Sequence, residues 1–224
     1  MKTWWIPALA FSGVLALPLI AQDKKPDAPA AQETKKSEPY KLGATVDENI
    51  TLKDIDGKEL KLKDLRGKVV FIHFWSMNCP YEVKADPKVA ALEKKWAGKD
   101  VAVLAINSNS TEIGATPPAD LAAFDPIRKH LKDVRKIEMR VFADHGNKVA
   151  DMFGAKSTPH CFVLDKKGVL VYAGGLDDDG NGDKGEAAQQ YVRDAVEATL
   201  EGKEVKVKES KHYGCSITRV KPGA

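Results

Sequence analysis

The stretch Val69-Val70-Phe71-Ile72-His73-Phe74-Trp75 is apolar at every position but His73, with no alternation of polar and apolar residues. Such a run predicts a strand buried on both faces, which needs layers of structure above and below it. It is followed by Ser76-Met77-Asn78-Cys79-Pro80-Tyr81-Glu82, and helical spacing is read from Pro80 onward. Cys79 therefore stands where a buried strand hands over to a helix. The macrodipole and the free N–H groups of a first helical turn stabilise a thiolate, the nucleophilic form of cysteine. The reading requires an accessible, reactive sulfur there.

The remaining elements follow in order. Ile50–Ile55 and Glu59–Leu62 alternate around the turn signal Asp56-Gly57, which predicts an amphipathic hairpin before the central strand. Pro80–Trp96 carries Val83, Val89, Leu92 and Trp96 at helical spacing, with a kink expected at Pro87. Val101–Ile106 is a second buried strand, so strand, helix and strand form a βαβ unit with a parallel pair. Ser108–Ala119 reads as a polar loop, and Asp120–Val134 as a helix interrupted at Asp125-Pro126. Met139–Phe142 is a short strand and Lys148–Phe153 a short helix ending at Gly154. After Ser157-Thr158-Pro159, His160–Asp165 and Val169–Tyr172 form an antiparallel hairpin, and Glu186–Leu200 is a closing helix.

The ends have a different composition. Met1-Lys2-Thr3 precedes an almost uncharged stretch from Trp4 to Ala21, followed by Gln22-Asp23-Lys24-Lys25. This is the pattern of a signal peptide over residues 1–21, with Leu19-Ile20-Ala21 as the cleavage site and an uncleaved membrane anchor as the alternative. Cleavage would leave no stable membrane span, in an exported, periplasmic or otherwise extracytoplasmic protein. Residues 22–40 hold little apolar area beyond Tyr40 and read as a disordered linker. The folded domain is expected over 41–208, and 209–224 is a tail carrying Cys215. A net charge of +3 arises from Lys interleaved with Asp and Glu, so nothing points to nucleic acid.

Export would place three cysteines, an odd number, in an oxidising compartment. Cys79, Cys161 and Cys215 allow three single bridges. A cysteine on a flexible tail is able to fold back and resolve a sulfenic acid or mixed disulfide on Cys79; a bridge to another chain or to Cys161, or an idle thiol, are the alternatives for Cys215. Cys161 reads as a small buried hydrophobe rather than a second redox thiol, His160 as a packing or solvent-edge residue, and His73 as a hydrogen-bonded core histidine. A soft copper site from Cys79, Cys161 and His160 lacks the short motif spacing of metal sites, so no metal or other cofactor is assigned. Asp177–Asp183 supplies half a calcium loop, but Ala188 stands where the closing glutamate belongs, and the segment reads as a solvated acidic loop.

The segment Asp54–Lys68, the F-W-S-x-x-C-P run at Phe74–Pro80 and the Thr158-Pro159 step before a hairpin together resemble thioredoxin-fold redoxins, in particular the exported bacterial branch of the alkyl hydroperoxide reductase/thiol-specific antioxidant family. The resemblance covers about Lys41 to Leu200. It implies an α/β thioredoxin-like fold: a central mixed sheet flanked by helices, with an N-terminal β-hairpin extension. It further implies a cis Pro159 facing Cys79, with Thr158 presenting backbone to a bound peptide or mixed disulfide, and Pro80 beside them on the substrate face.

The departures from that family concern chemistry. A dithiol reductase has cysteine where this chain has Glu82, and a carboxylate does not resolve a disulfide. Its charge would oppose a thiolate at Cys79 unless it turned away or were protonated. Cys79-Pro80-Tyr81-Glu82 instead resembles the C-P-x-E of peroxiredoxins, with Ser76 at the position of a peroxide-contacting hydroxyl; Ile72 replaces the expected proline, and Arg140 is the candidate for the expected arginine. The resulting expectation is a thiol oxidoreductase in which Cys79 attacks, Ser76 tunes it, and Cys215 or an external thiol reductant resolves it. Its substrate is a peroxide or a protein thiol or disulfide. The rival reading is a redox-inactive thioredoxin-fold binding module that lost its second cysteine.

Overall fold

The computed structural model describes residues 1–5 and 38–221. The chain divides into two units, residues 1–36 and 37–224. Of the first only the exposed residues 1–5 are described, so the rest of the expected signal peptide and nearly all of the expected linker lie outside the described residues. Among the described residues, no helix is long and apolar enough to cross a membrane. In the second unit packing begins at Tyr40, whose N–H donates to Met152 O and whose ring meets Phe153 edge-on at 5.4 Å.

Strands β1 (Thr51–Lys53) and β2 (Glu59–Lys61) form the expected entrance hairpin, with Leu52 opposite Leu60. The chain then enters β3 (Val69–Trp75), buried at all of its positions. Helix α1 (Glu82–Lys95) and strand β4 (Val101–Asn107) follow, with β4 parallel to β3. Helix α1 runs through Pro87 and buries Glu82, Ala85, Asp86, Val89 and Leu92. Val83, expected on that face, is 54 % exposed. The inward face is the i, i+3, i+4, i+7 series counted from Glu82, and it carries two acids that a purely apolar pattern passes over.

The stretch expected as a polar loop contains α2 (Ser110–Ile113). The expected helix over 120–134 is broken into a 3₁₀ turn at Leu121–Phe124, α3 (Asp125–Lys129) with Pro126 in its first turn, and wider turns at His130–Arg135. Strand β5 (Val141–Ala143) pairs parallel to β4, and α4 (Lys148–Phe153) ends at Gly154 in the left-handed conformation. Next come β6 (Ser157–Thr158), the cis Thr158–Pro159 bond, and the hairpin β7 (His160–Leu164) and β8 (Leu170–Gly174). Helix α5 (Tyr191–Leu200) starts later than expected, because Gly185–Ala187 form a separate 3₁₀ turn. A short strand, β9 (Cys215–Ser216), closes the order.

The main sheet has the order β5-β4-β3-β7-β8, with β7 antiparallel to β3. The middle place of a five-stranded sheet has neighbours on both edges and cover on both faces, and β3, buried along its whole length, takes it; burying each of its large side chains contributes about 2 kcal/mol. Alternation assigns the faces. Val70, Ile72 and Phe74 pack with Leu104, Ile106, Phe162 and α4, whereas Val69 and Phe71 pack with Val163, Tyr172, α1 and α5. The α/β architecture is the thioredoxin-like fold, a central mixed sheet flanked by helices.

Candidate functional site: Cys79, the cis-proline loop and the returning tail

Cys79 lies at the end of the turn that leaves β3, one turn ahead of α1; its carbonyl accepts the Glu82 N–H at 3.1 Å. The junction is held from outside by Glu112 of α2. One carboxylate oxygen accepts Ser76 Oγ at 2.6 Å and Asn78 N at 3.0 Å, and the other accepts Met77 N at 3.0 Å and Asn107 Nδ2 at 2.6 Å. Arg135 grips the same turn, donating to the carbonyls of Met77 and Cys79, both at 3.4 Å. Neither Glu112 nor Arg135 was legible in the sequence, because Glu112 stands in a stretch read as a polar loop and Arg135 just past the helix expected over 120–134.

The Cys79 thiol donates to the carbonyl of Thr158 at 2.8 Å, which sets it against the cis-proline loop as the resemblance implied. Pro80 is exposed beside it, and Pro159 follows Thr158 directly. The sulfur is not open to solvent, however: Cys79 is 1 % exposed, against the expectation of an accessible thiol. Its cover includes another thiol of the same chain. Strand β9 pairs antiparallel to β6, with Cys215 opposite Thr158 and Ser216 opposite Ser157, and the Cys215 side chain meets that of Cys79. All three cysteines are in the free thiol form. Burial, reinforced by neighbouring Cys79, pushes the Cys215 thiol up to about 11.

The tail that brings Cys215 here is packed, not flexible. Tyr213 Oη donates to Asp177 at 2.9 Å and its ring faces Tyr81 at 6.0 Å. His212 Nδ1 lies 2.8 Å from Ser157 Oγ, and its ring stacks on His160 at 4.4 Å. Beyond Cys215, Ile217 N donates to Lys156 O at 3.0 Å and its side chain enters the core. Gly214 sits at φ +117°, and a Cβ there would overlap the Thr158 carbonyl. That glycine was the one local signal for the close approach.

Beneath the junction lies a buried polar layer. Glu82 and His73 are both fully enclosed, with Glu82 Oε2 at 3.0 Å from His73 Nε2. Burial, and next the charge of Asp86, push the Glu82 carboxyl well above the ordinary range, while burial lowers His73 to about 4. Burial thus disfavours the charged form of each, and the raised Glu82 carboxyl bears on the second of the two conditions set by the sequence. Asp86 accepts Trp75 Nε1 at 2.9 Å and pairs with Arg135 Nε at 3.2 Å.

Other candidate residues fall elsewhere. The Ser76 hydroxyl is directed to Glu112, and Arg140 pairs with Asp54 at 2.7 Å with its guanidinium 4.7 Å above the Phe142 ring, away from Cys79. Cys161 and His160 point to opposite faces of β7: Cys161 shares its face with His73 in the α1–α5 core, and His160 shares its face with Phe74 and Phe162. Alternation thus separates these two would-be copper ligands, and among the described residues no group of three His, Cys, Asp or Glu side chains is placed to hold a metal ion. The acidic loop is not fully solvated. Asp177 and Asp179 are buried around Lys88 Nζ, at 2.7 and 3.3 Å, so an ammonium group stands among these carboxylates.

A model of the AhpC/TSA family matches residues 45–173. The chain belongs to the AhpC/TSA family. The match takes in Cys79 and the cis-proline loop and ends before the returning tail. Over 123 residues the chain is 29 % identical to the thiol-disulfide oxidoreductase ResA of Bacillus anthracis; that segment covers 55 % of this chain and 64 % of the relative, short of two thirds of its length. Among solved structures, a hypothetical protein of Sinorhizobium meliloti superposes with a TM-score of 0.67 at 28 % identity, covering 82 % of this chain and 97 % of that one. An uncharacterised conserved protein of Geobacillus kaustophilus gives 0.65 at 24 % identity over 82 % and 95 %, a likeness of fold.

Proposed function

We propose that this AhpC/TSA member is an exported thiol oxidoreductase that exchanges disulfides with proteins, with Cys79 as the attacking sulfur and Cys215 as the resolving one. The observation that carries the reading is the pairing of Cys215 with Thr158, the residue whose carbonyl accepts the Cys79 thiol. Cys215 supplies from the tail the second sulfur that Glu82 displaces from the helix.

In the reducing direction the tail strand first leaves the buried Cys79, which then, as thiolate, attacks one sulfur of a client disulfide. The client S–S bond breaks, a mixed disulfide forms, and the first client sulfur leaves as a thiolate that takes a proton. Cys215 then gives up its proton and attacks the Cys79 sulfur, releasing the second client thiol. Two electrons pass to the client, and the protein is left with a Cys79–Cys215 disulfide. An external dithiol reductant restores both thiols by the same exchange in reverse. Exchange is favoured over peroxide reduction because Ser76 is held by Glu112 and Arg140 by Asp54. Export rests on the basic, apolar, polar sequence of residues 1–25.

Mild oxidation of the full chain followed by peptide mass mapping is expected to give a Cys79–Cys215 bridge, and Cys79→Ser to abolish reduction of a protein disulfide. A bridge absent under all oxidants, with activity persisting in Cys79→Ser, would overturn the assignment. Absence of both bridge and activity in the native chain would leave the binding-module reading.

A further inference from the structure

The tail does more than carry a thiol to Cys79. It pairs antiparallel with the strand that precedes the cis proline, with a cysteine in register with Thr158 and against the Cys79 sulfur. An extended client segment adding to that edge would make the same backbone pairing, and one segment excludes the other. We propose that residues 212–218 are a resident pseudosubstrate, and that the clients which displace them are extended segments with glycine immediately before the reactive cysteine. This rests on the reading of Cys79 as the attacking sulfur and names its substrate class.

Space beside Thr158 carries the glycine requirement. At Gly214 the tail lies so close to the Thr158 carbonyl that an added Cβ would come nearer than any side chain tolerates, and φ +117° is a conformation that side chains rarely adopt. A client in the same register meets the same carbonyl at the residue before its cysteine. One residue further back, Tyr213 sets its ring against Tyr81 and its hydroxyl on Asp177, which gives the groove an aromatic position as well. The segment is pinned on the other side by Thr218, whose N–H donates to Asn109 Oδ1 at 3.0 Å, and by Arg219, which pairs with Asp151 at 2.6 Å. Client capture accordingly requires the tail to leave, and resolution requires it to return with Cys215.

The test uses the full chain with Cys215→Ser, which keeps the strand and removes the resolving thiol. Two synthetic peptides, identical except for Tyr-Gly-Cys or Tyr-Val-Cys at the centre, are activated on cysteine as thionitrobenzoate disulfides. Capture is followed by thionitrobenzoate release and located on Cys79 by mass spectrometry. Adding Gly214→Val, or Arg219→Ala as a milder second variant, is expected to lower hydrogen-exchange protection of the Ile217 amide. Capture of the glycine peptide should then rise by about tenfold, because the open state is no longer a minor population. The glycine peptide should outpace the valine peptide by a similar factor in every variant.

Lost protection at Ile217 with unchanged capture rates would overturn the pseudosubstrate. Equal rates for the two peptides would overturn the glycine requirement. Failure of Cys79 to react in any folded variant would instead overturn the underlying assignment of Cys79 as the attacking sulfur.

Discussion

Three cysteines in one chain have three environments, and environment decides what each sulfur does. Cys161 is sealed in the core between β7 and α1, where burial pushes its thiol well above the ordinary range. Cys215 is held as a thiol by burial and by neighbouring Cys79. Cys79 donates to the Thr158 carbonyl of the cis-proline loop. Replacing Cys161 by alanine is expected to cost about 1–2 kcal/mol through the small cavity it leaves, measured by urea denaturation. The same variant should form the Cys79–Cys215 bridge at an unchanged rate. The sequence already favoured a packing role for Cys161, because a cysteine inside an apolar strand is most simply a small hydrophobe. It offered no way to choose a partner for Cys215.

Between elements, the coupling of α1 to the tail runs through charge. Lys88 on the helix holds Asp177 and Asp179 of the loop after β8, and Asp177 in turn accepts the Tyr213 hydroxyl of the tail. Lys88→Met leaves two buried carboxylates without their cation and is expected to destabilise the protein by about 3 kcal/mol in chemical denaturation. Asp177→Ala should loosen the tail, seen as faster hydrogen exchange at Ile217, with the main sheet still protected. The acidic loop was visible in the sequence as a run of aspartates. That its counter-charge is a lysine on a distant helix was not, since the i, i+3, i+4 pattern of α1 says which residues face inward but not what they meet.

For the whole molecule, burial of titratable groups fixes how stability responds to pH. His73 and His160 are lowered by burial to about 4 and about 3, from an ordinary value of 6.5. Below that ordinary value the unfolded chain takes up protons that the folded chain refuses. Stability should therefore be full above about pH 6.5 and decline as pH falls toward those lowered values. Glu82 acts in the opposite sense: its folded carboxyl is raised, so its effect is a loss of stability as pH rises above about 4.5. Urea midpoints measured across this range should show a shallower acid limb in His73→Asn and a shallower loss on the alkaline side in Glu82→Gln. The cis Pro159 was implied by the family resemblance alone, but most of the architecture was legible beforehand: the β3–α1 junction, the parallel partner β4, the entrance hairpin and the β7–β8 hairpin. Those features are written in local patterns, in the unbroken apolar run, the helical spacing and the turn residues, which act over a few neighbours. The meeting of Cys79 with Cys215, the buried Glu82–His73 pair and the grip of Glu112 and Arg135 were decided only by the tertiary structure. They depend on which face a strand turns inward and on where a tail without periodicity comes to rest, and those are settled by packing across the whole fold.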